Sequence, residues 1–214
     1  MKFYGQFDPP VDKVLYERYF KNKKNLTSIE CGAFDGLFEN CTKFFEENFN
    51  WNTINIEPLP HIFKKLNINR PSSININIAL SNNKGKQHIR VYDIPNHGIN
   101  NTNASLCHLQ KHQQLLEKMS NNKYKDFEIC TTTYSSLIKE QKINELDLFV
   151  LDVEGHEYEV IDGMKDAEIF PKVFVIEHGH RRPEDIVNKL KVLPVSYKLD
   201  FISHVNSYFV RIDE

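Results

Sequence analysis

The stretch "SIECGAFDGLFEN", residues 28–40, decides the fold. An apolar run stops at Gly32, the chain turns through Gly36, and apolar residues resume at Leu37, Cys41, Phe44, Phe45 and Phe49. That second set falls on one face of a helix. A strand, a glycine-bearing turn and a helix in this order are how nucleotide-binding sheets hold a cofactor. A dinucleotide turn would carry G-x-G-x-x-G, with a helix N-terminus cradling a pyrophosphate. Here there are two glycines, and two acids (Glu30 and Asp35) flank the turn. Acids repel a pyrophosphate and suit a ligand with a cationic amino group.

Outward from this turn the chain alternates. A helical pattern in "VDKVLYERYF" (11–20) precedes the turn. After it, "NTINIEP" reads as a strand, "LPHIFKKLN" as a helix, "SININIALS" and "KQHIRVYD" as strands. Residues 94–105, "IPNHGINNTNAS", are polar and without periodicity, hence a loop. Loops of this length in a compact unit usually serve function. "LCHLQKHQQLLEKM" reads as a helix, "FEICTTT" as a strand and "YSSLIKEQ" as a short helix. "LDLFVLD" and "KVFVIE" are unbroken apolar runs ending in an acid, as in central parallel strands covered on both faces. Helical patterns follow each of them, and "PVSYKLDFI" and "NSYFVRI" close the chain as a hairpin. The order predicts an α/β sheet covered on both sides, with an antiparallel C-terminal hairpin.

With 214 residues the chain suffices for one domain with a sizeable core. A net charge of −2 provides no basic field to draw nucleic acid. No apolar run approaches the ~20 residues needed to span a bilayer. The opening "MKFYGQFDPP" lacks the apolar core of a secretory signal, so a cytoplasmic location is expected. The four cysteines are scattered without C-x-x-C, which suits reduced thiols. Oligomeric state is not readable.

Ligands of such sheets bind beyond the carboxyl ends of the strands, near the switch in strand order. The second strand ends in Glu57-Pro58, and an acid about 20 residues after the turn can accept from both ribose hydroxyls. The competing reading is a surface acid before a helix-starting proline. Ala79, Leu80 and Ser81 end the third strand and could line an adenine slot. "LDVEGHE" places Asp152, Glu154 and Glu157 at the end of the fourth strand. A favourable helix start explains Glu157 but neither of the other two. The fifth strand ends in Glu177, His178, Gly179, His180, Arg181 and Arg182. The arginines could clamp an anionic acceptor or lie on a solvated face. S-adenosylmethionine, with an ammonium, a sulfonium and no phosphate, is a ligand such a site would suit.

"IECGAFDG", "INIEP", "NIALSNNKG" and "LDLFVLDVEGHEYEVIDGM" together resemble the FkbM-type class I methyltransferases. "GQFDPPVDKVLYERYF" resembles a leading segment found in part of that family. The resemblance implies a single-domain, doubly wound, mostly parallel seven-stranded sheet. It also implies S-adenosylmethionine as methyl donor and an oxygen acceptor, often on a sugar or glycosylated product. One methyltransferase domain is expected over 1–214, with a helical segment at 1–25 and a substrate-side insertion at 94–125. The implied cofactor residues are Gln6, Glu30, Gly32, Ala33, Phe34, Asp35, Gly36, Asn40, Glu57 and Pro58. Ala79, Leu80, Ser81, Ser105, Asp152 and Val153 complete the set. Glu30 stands where the family usually has Asp, and Phe34-Asp35 where many members have Asn and a small residue. The insertion is individual, so acceptor identity does not carry over.

Methyl transfer from a sulfonium chiefly requires positioning, helped by a general base. Candidate bases are Asp152, His180, Glu154 and His178. An alternative places a divalent metal ion between Asp152, Glu177 and His178, as in catechol-type O-methyltransferases. Other classes are a non-catalytic cofactor-binding module and a nicotinamide-dependent reductase. The missing third glycine and the terminal hairpin count against the reductase.

Overall fold

The computed structural model describes residues 1–96, 98, 100–179 and 181–212. The helical segment near the start is α1 (Val11–Leu15), continued by a π-helical turn over Tyr16–Phe20. Then come β1 (Thr27–Cys31), α2 (Lys43–Phe49), β2 (Asn52–Ile56), α3 (Pro60–Asn69) and β3 (Ile74–Ile76). β4 (Ala79–Leu80), β5 (Gly85–Tyr92), α4 (Gln110–Met119), β6 (Tyr124–Thr132) and α5 (Tyr134–Glu140) follow. The last part holds β7 (Leu148–Leu151), α6 (Glu157–Asp162), β8 (Val173–Glu177), α7 (Pro183–Leu190), β9 (Ser196–Ser203) and β10 (Asn206–Ile212).

The main sheet has seven strands in the order β3-β2-β1-β7-β8-β10-β9. The first five are parallel, and the β9–β10 hairpin joins antiparallel through β10 against β8. This is the expected α/β architecture. Order reverses between β1 and β7, so a crevice opens beyond Cys31 and Leu151. Alternation along the strands feeds two cores. Phe149 and Leu151 of β7 and Phe174 and Ile176 of β8 join one cluster, with α5, α6 and α7 residues. Leu148, Val150, Val173 and Val175 join another, with Phe20, Phe44, Phe45 and Trp51. Apolar side chains on both faces are why these strands read as unbroken apolar runs.

Two expected elements differ. "SININIALS" is not one strand: β3 stays in the main sheet, and β4 pairs with β6 in a second sheet of order β4-β6-β5. The break falls at Asn77, whose side-chain amide donates to the carbonyls of Glu57 and Pro58 at 2.9 Å each. The helix expected from Leu37 begins only at Lys43. Gly36 and Glu39 take left-handed φ values of 77° and 54°, and Asp35 Oδ1 accepts from the N–H groups of Leu37 and Phe38. Those bonds form a side-chain-closed turn in place of a first helical turn, and Leu37 and Phe38 are exposed.

Candidate active site

The glycine turn is built for close approach. Gly32 has φ 90°, and a Cβ there would lie 1.8 Å from the Asp152 carbonyl oxygen. Only glycine lets β1 and β7 stay together this far. The carboxylate of Glu30 points into the following loop. It accepts from Cys41 N–H (2.8 Å), Thr42 N–H (3.1 Å) and the Thr42 hydroxyl (2.6 Å). Burial raises its pKa, and these donors oppose the shift. Asn40 Oδ1 caps the same loop, accepting from Lys43 N–H at 2.8 Å and from Arg70 Nη1 at 2.8 Å. Arg70 is fully buried; it also reaches Thr53 Oγ1 (2.9 Å) and pairs with Glu46. At α3's end, in no motif, Arg70 gives no sequence signal for this role.

Beyond the ends of β1, β2 and β7 lies a cavity of about 370 Å³. Of the residues singled out from the sequence, Gln6, Gly32, Phe34, Glu57, Pro58, Ala79 and Leu80 line it. Ser105, Asp152, Val153 and Glu154 line it too. Glu30 instead borders an adjoining space of about 40 Å³, shared with Gln6, Gly32 and Asp152. Ala33, Asp35, Gly36, Asn40 and Ser81 do not line the larger cavity, though Asp35 and Ser81 bond residues that do. Ser81 Oγ, for example, bonds His156 Nε2 at 3.0 Å, and His156 faces the cavity. The second sheet supplies an apolar wall through Ala79, Leu80 and Ile89, continued by Ala104 and Leu106 of the insertion. Ser105 Oγ donates to the Val153 carbonyl at 3.2 Å and so ties the insertion to the end of β7.

Glu57 is buried, and its pKa is pushed up to about 8 by burial, against hydrogen bonds from the N–H groups of Leu59 and Phe34. The leading segment reaches the cavity because Asp12 holds it. Buried Asp12 accepts from the N–H groups of Tyr4 (2.7 Å) and Gly5 (3.1 Å), which presents Gln6 and Phe7 to the cavity. Phe7 also stacks on His204 of the β9–β10 turn, 4.4 Å between ring centres and 6° between planes. Phe7, Glu39 and Val205 line the cavity and were not legible as site residues.

The ends of β7 and β8 bring acids together. Asp152 and Glu177 hydrogen-bond to one another. Burial pushes Asp152 up to about 6 and Glu177 up to about 11, where Asp152 and Glu154 add to the shift. Glu177 therefore carries the proton of the pair and Asp152 accepts it. Glu154, with φ 57°, is raised well above its usual range by burial and then by Asp152; its Oε2 lies 3.6 Å from His112 Nδ1. Glu157 is neutralised by Arg181 at 2.6 Å and accepts from Gly155 N–H at 2.9 Å. Arg182 pairs with Asp185 at the start of α7. Arg181 is thus engaged, while Arg182 lies on an exposed face. His178 Nδ1 bonds Ser207 Oγ at 3.0 Å, and its pKa is lowered by burial. His180 lies outside the described residues. A second cavity of about 160 Å³ adjoins this cluster, lined among others by His112, Glu154, Glu177, His178 and Val205. Among the described residues no three His, Cys, Asp or Glu side chains converge to hold a metal ion, so Asp152, Glu177 and His178 do not form a ready ligand set.

A seven-stranded sheet with a cavity at its switch point is what the resemblance to FkbM-type class I methyltransferases implies. The sequence model of the methyltransferase FkbM domain matches residues 30–209, and the chain belongs to that family. A solved structure, the methyltransferase FkbM from Methylobacillus flagellatus KT, is similar over 94% of this chain and 48% of its own, at 13% identity and a TM-score of 0.49. The chain thus spans about half the length of that protein. No curated protein matches the chain. Among the described residues no helix is long and apolar enough to cross a membrane.

Proposed function

We propose that the chain is an S-adenosylmethionine-dependent O-methyltransferase acting on a hydroxyl-rich small molecule, a sugar or a glycosylated product. Residues 1–214 serve as one catalytic unit in this reading. The observation that supports it is the pair of adjoining cavities at the sheet's switch point, one with an acid at the end of β2, the other walled by acids and histidines. The residues fit the cofactor in three ways. Gly32 lines the cavity with backbone alone, its missing Cβ leaving room for the Asp152 carbonyl beside it. Glu57 offers a carboxylate for ribose hydroxyls. Pro58, Ala79 and Leu80 offer an apolar slot for adenine, and Gln6, Ser105, Asp152 and Val153 line the same cavity. Glu30, Asn40 and Arg70 act indirectly, by fixing loop 37–42.

When bound, S-adenosylmethionine supplies a methyl group already activated by its sulfonium. The chain's own task is to orient the acceptor, exclude water and remove one proton. Asp152 is the base: at about 6 it is ionised at neutral pH and still basic enough to take a hydroxyl proton. Glu177, holding its proton toward Asp152, fixes that carboxylate in place. His178, neutral and beside the second cavity, orients the acceptor.

Calorimetry with S-adenosylhomocysteine, followed by transfer of labelled methyl to a panel of polyols and sugars, tests this. Binding heat and an alkali-stable methyl ether are expected. No heat sinks the cofactor assignment. Heat without transfer to any acceptor favours a binding module instead. An alkali-labile product would point to a carboxyl acceptor.

A further inference from the structure

Glu154, Glu177 and Val205 line both cavities, so the two spaces meet across these three side chains. The second holds about 160 Å³, well below the roughly 300 Å³ at which drug-sized ligand pockets begin. That is room for one ring-sized unit. Its wall is unequal in charge. Arg181 is fully engaged: Nη1 donates to Glu157 Oε2 at 2.6 Å, Nη2 donates to the Gly155 carbonyl at 2.8 Å, and the guanidinium lies 4.3 Å from the Tyr158 ring centre. Asp152 and Glu157 crowd both Glu154 and Glu177, and His112 Nδ1 lies 3.6 Å from Glu154 Oε2. Burial, and then the neighbouring acids, makes both carboxyls hold their protons above the usual range; a balancing cation is what they lack, whereas the arginine is already balanced.

We propose that this cavity is the acceptor site and that it selects an acceptor bearing an ammonium group, an amino sugar in preference to a neutral or a phosphorylated one. This rests on the reading of the chain as a sugar-directed hydroxyl methyltransferase. An ammonium beside Glu154 favours that carboxyl's ionised form and donates charge-assisted hydrogen bonds to it, stronger than those a neutral hydroxyl makes. A phosphate would meet the same carboxyls with no guanidinium to offset them. Glu154 is the residue expected to set the preference, because it faces the cavity without sharing a proton with Asp152 as Glu177 does.

The full chain is first saturated with S-adenosylhomocysteine, with its heat recorded. It is then titrated with D-glucosamine, D-glucose and glucose 6-phosphate, followed by ligand-observed NMR. Glucosamine is expected to bind about tenfold tighter than glucose, the margin of a charged over a neutral hydrogen bond, and glucose 6-phosphate weakest. Glu154→Gln keeps the shape and removes the group that can ionise against an ammonium, and should bring glucosamine down to the level of glucose. Circular dichroism checks its fold, and the parent chain's ranking decides alone if that variant is unfolded. Equal binding of glucosamine and glucose, tighter binding of the phosphate, no binding of glucosamine, or an unchanged preference in folded Glu154→Gln overturns the proposal. Absent heat in the first step overturns the methyltransferase reading and this proposal with it. Heat followed by a failed ranking overturns the proposal alone.

Discussion

Two acidic regions border the same crevice and behave in opposite ways. At the end of β1, the Glu30 carboxylate accepts three donors from Cys41 and Thr42, and all of them belong to the protein. At the ends of β7 and β8, Asp152, Glu154 and Glu177 crowd one another, and the pair Asp152–Glu177 must share a proton to coexist. A satisfied buried acid stabilises a loop. Crowded acids cost stability and remain able to move protons. What separates structure from chemistry here is the number of donors already supplied, since both sets are acids at strand ends.

The sharpest way to break this comparison is to neutralise one acid from each region. Asp152→Asn should lower methyl transfer by about 10²- to 10⁴-fold, the usual worth of a general base. Single-turnover rates at saturating donor measure it, and a loss under tenfold would remove Asp152 from the chemistry. Glu30→Ala should act on stability instead. Three donors to a buried charge lose their acceptor, which costs about 3 kcal/mol, at one kcal/mol or so for each. Urea unfolding reads this as a lower midpoint. If Glu30→Ala unfolds like the parent but cannot bind S-adenosylhomocysteine, Glu30 belongs with the ligand and not with the loop.

Proton linkage sharpens the same contrast. Glu177 keeps its proton up to about 11 in the folded chain, against about 4.5 when solvated. A raised carboxyl pKa means the folded state binds the extra proton. Its stabilising share is therefore complete below about 4.5 and is lost as pH rises toward about 11. Inside that window the loss runs at about 1.4 kcal/mol per pH unit for this group. Glu177→Gln has no proton to lose, so its urea midpoint should fall less than the parent's between about pH 6 and 9. Parallel curves for the two chains would show that Glu177 is ionised in the fold.

The sheet was legible because its signals are local. The apolar runs of β7 and β8, the glycine turn and the terminal hairpin each follow from residues close in sequence. The acid at each strand end was legible for the same reason. Three things were not. Asn77 breaks the third strand through carbonyls 19 and 20 residues away. Arg70 orders loop 37–42 through bonds that span 28 to 34 residues. Phe7 meets His204 across nearly the whole chain. Apolar spacing alone extended α2 back to Leu37, because the left-handed Glu39 and the turn closed by Asp35 carry no periodic mark.

Glu57 tests the comparison from a third position, since it is intermediate. Two backbone donors, from Leu59 and Phe34, already serve it, yet burial still holds it at about 8. It is thus neither as satisfied as Glu30 nor as crowded as Glu177. Ribose hydroxyls would add the missing donors, and they favour the ionised form. Below about 8 the empty site must give up a proton before accepting them, so affinity should rise with pH and level off above that value. Between about pH 7 and 9 the gain approaches tenfold, one pH unit's worth of linkage. Glu57→Gln should bind S-adenosylhomocysteine about tenfold more weakly than the parent at high pH, for the loss of a charged acceptor. It should also lack this contribution to the pH dependence; any slope that survives belongs to the ligand's own amino group. If the two chains show the same slope, Glu57 is not the group that meets the ribose.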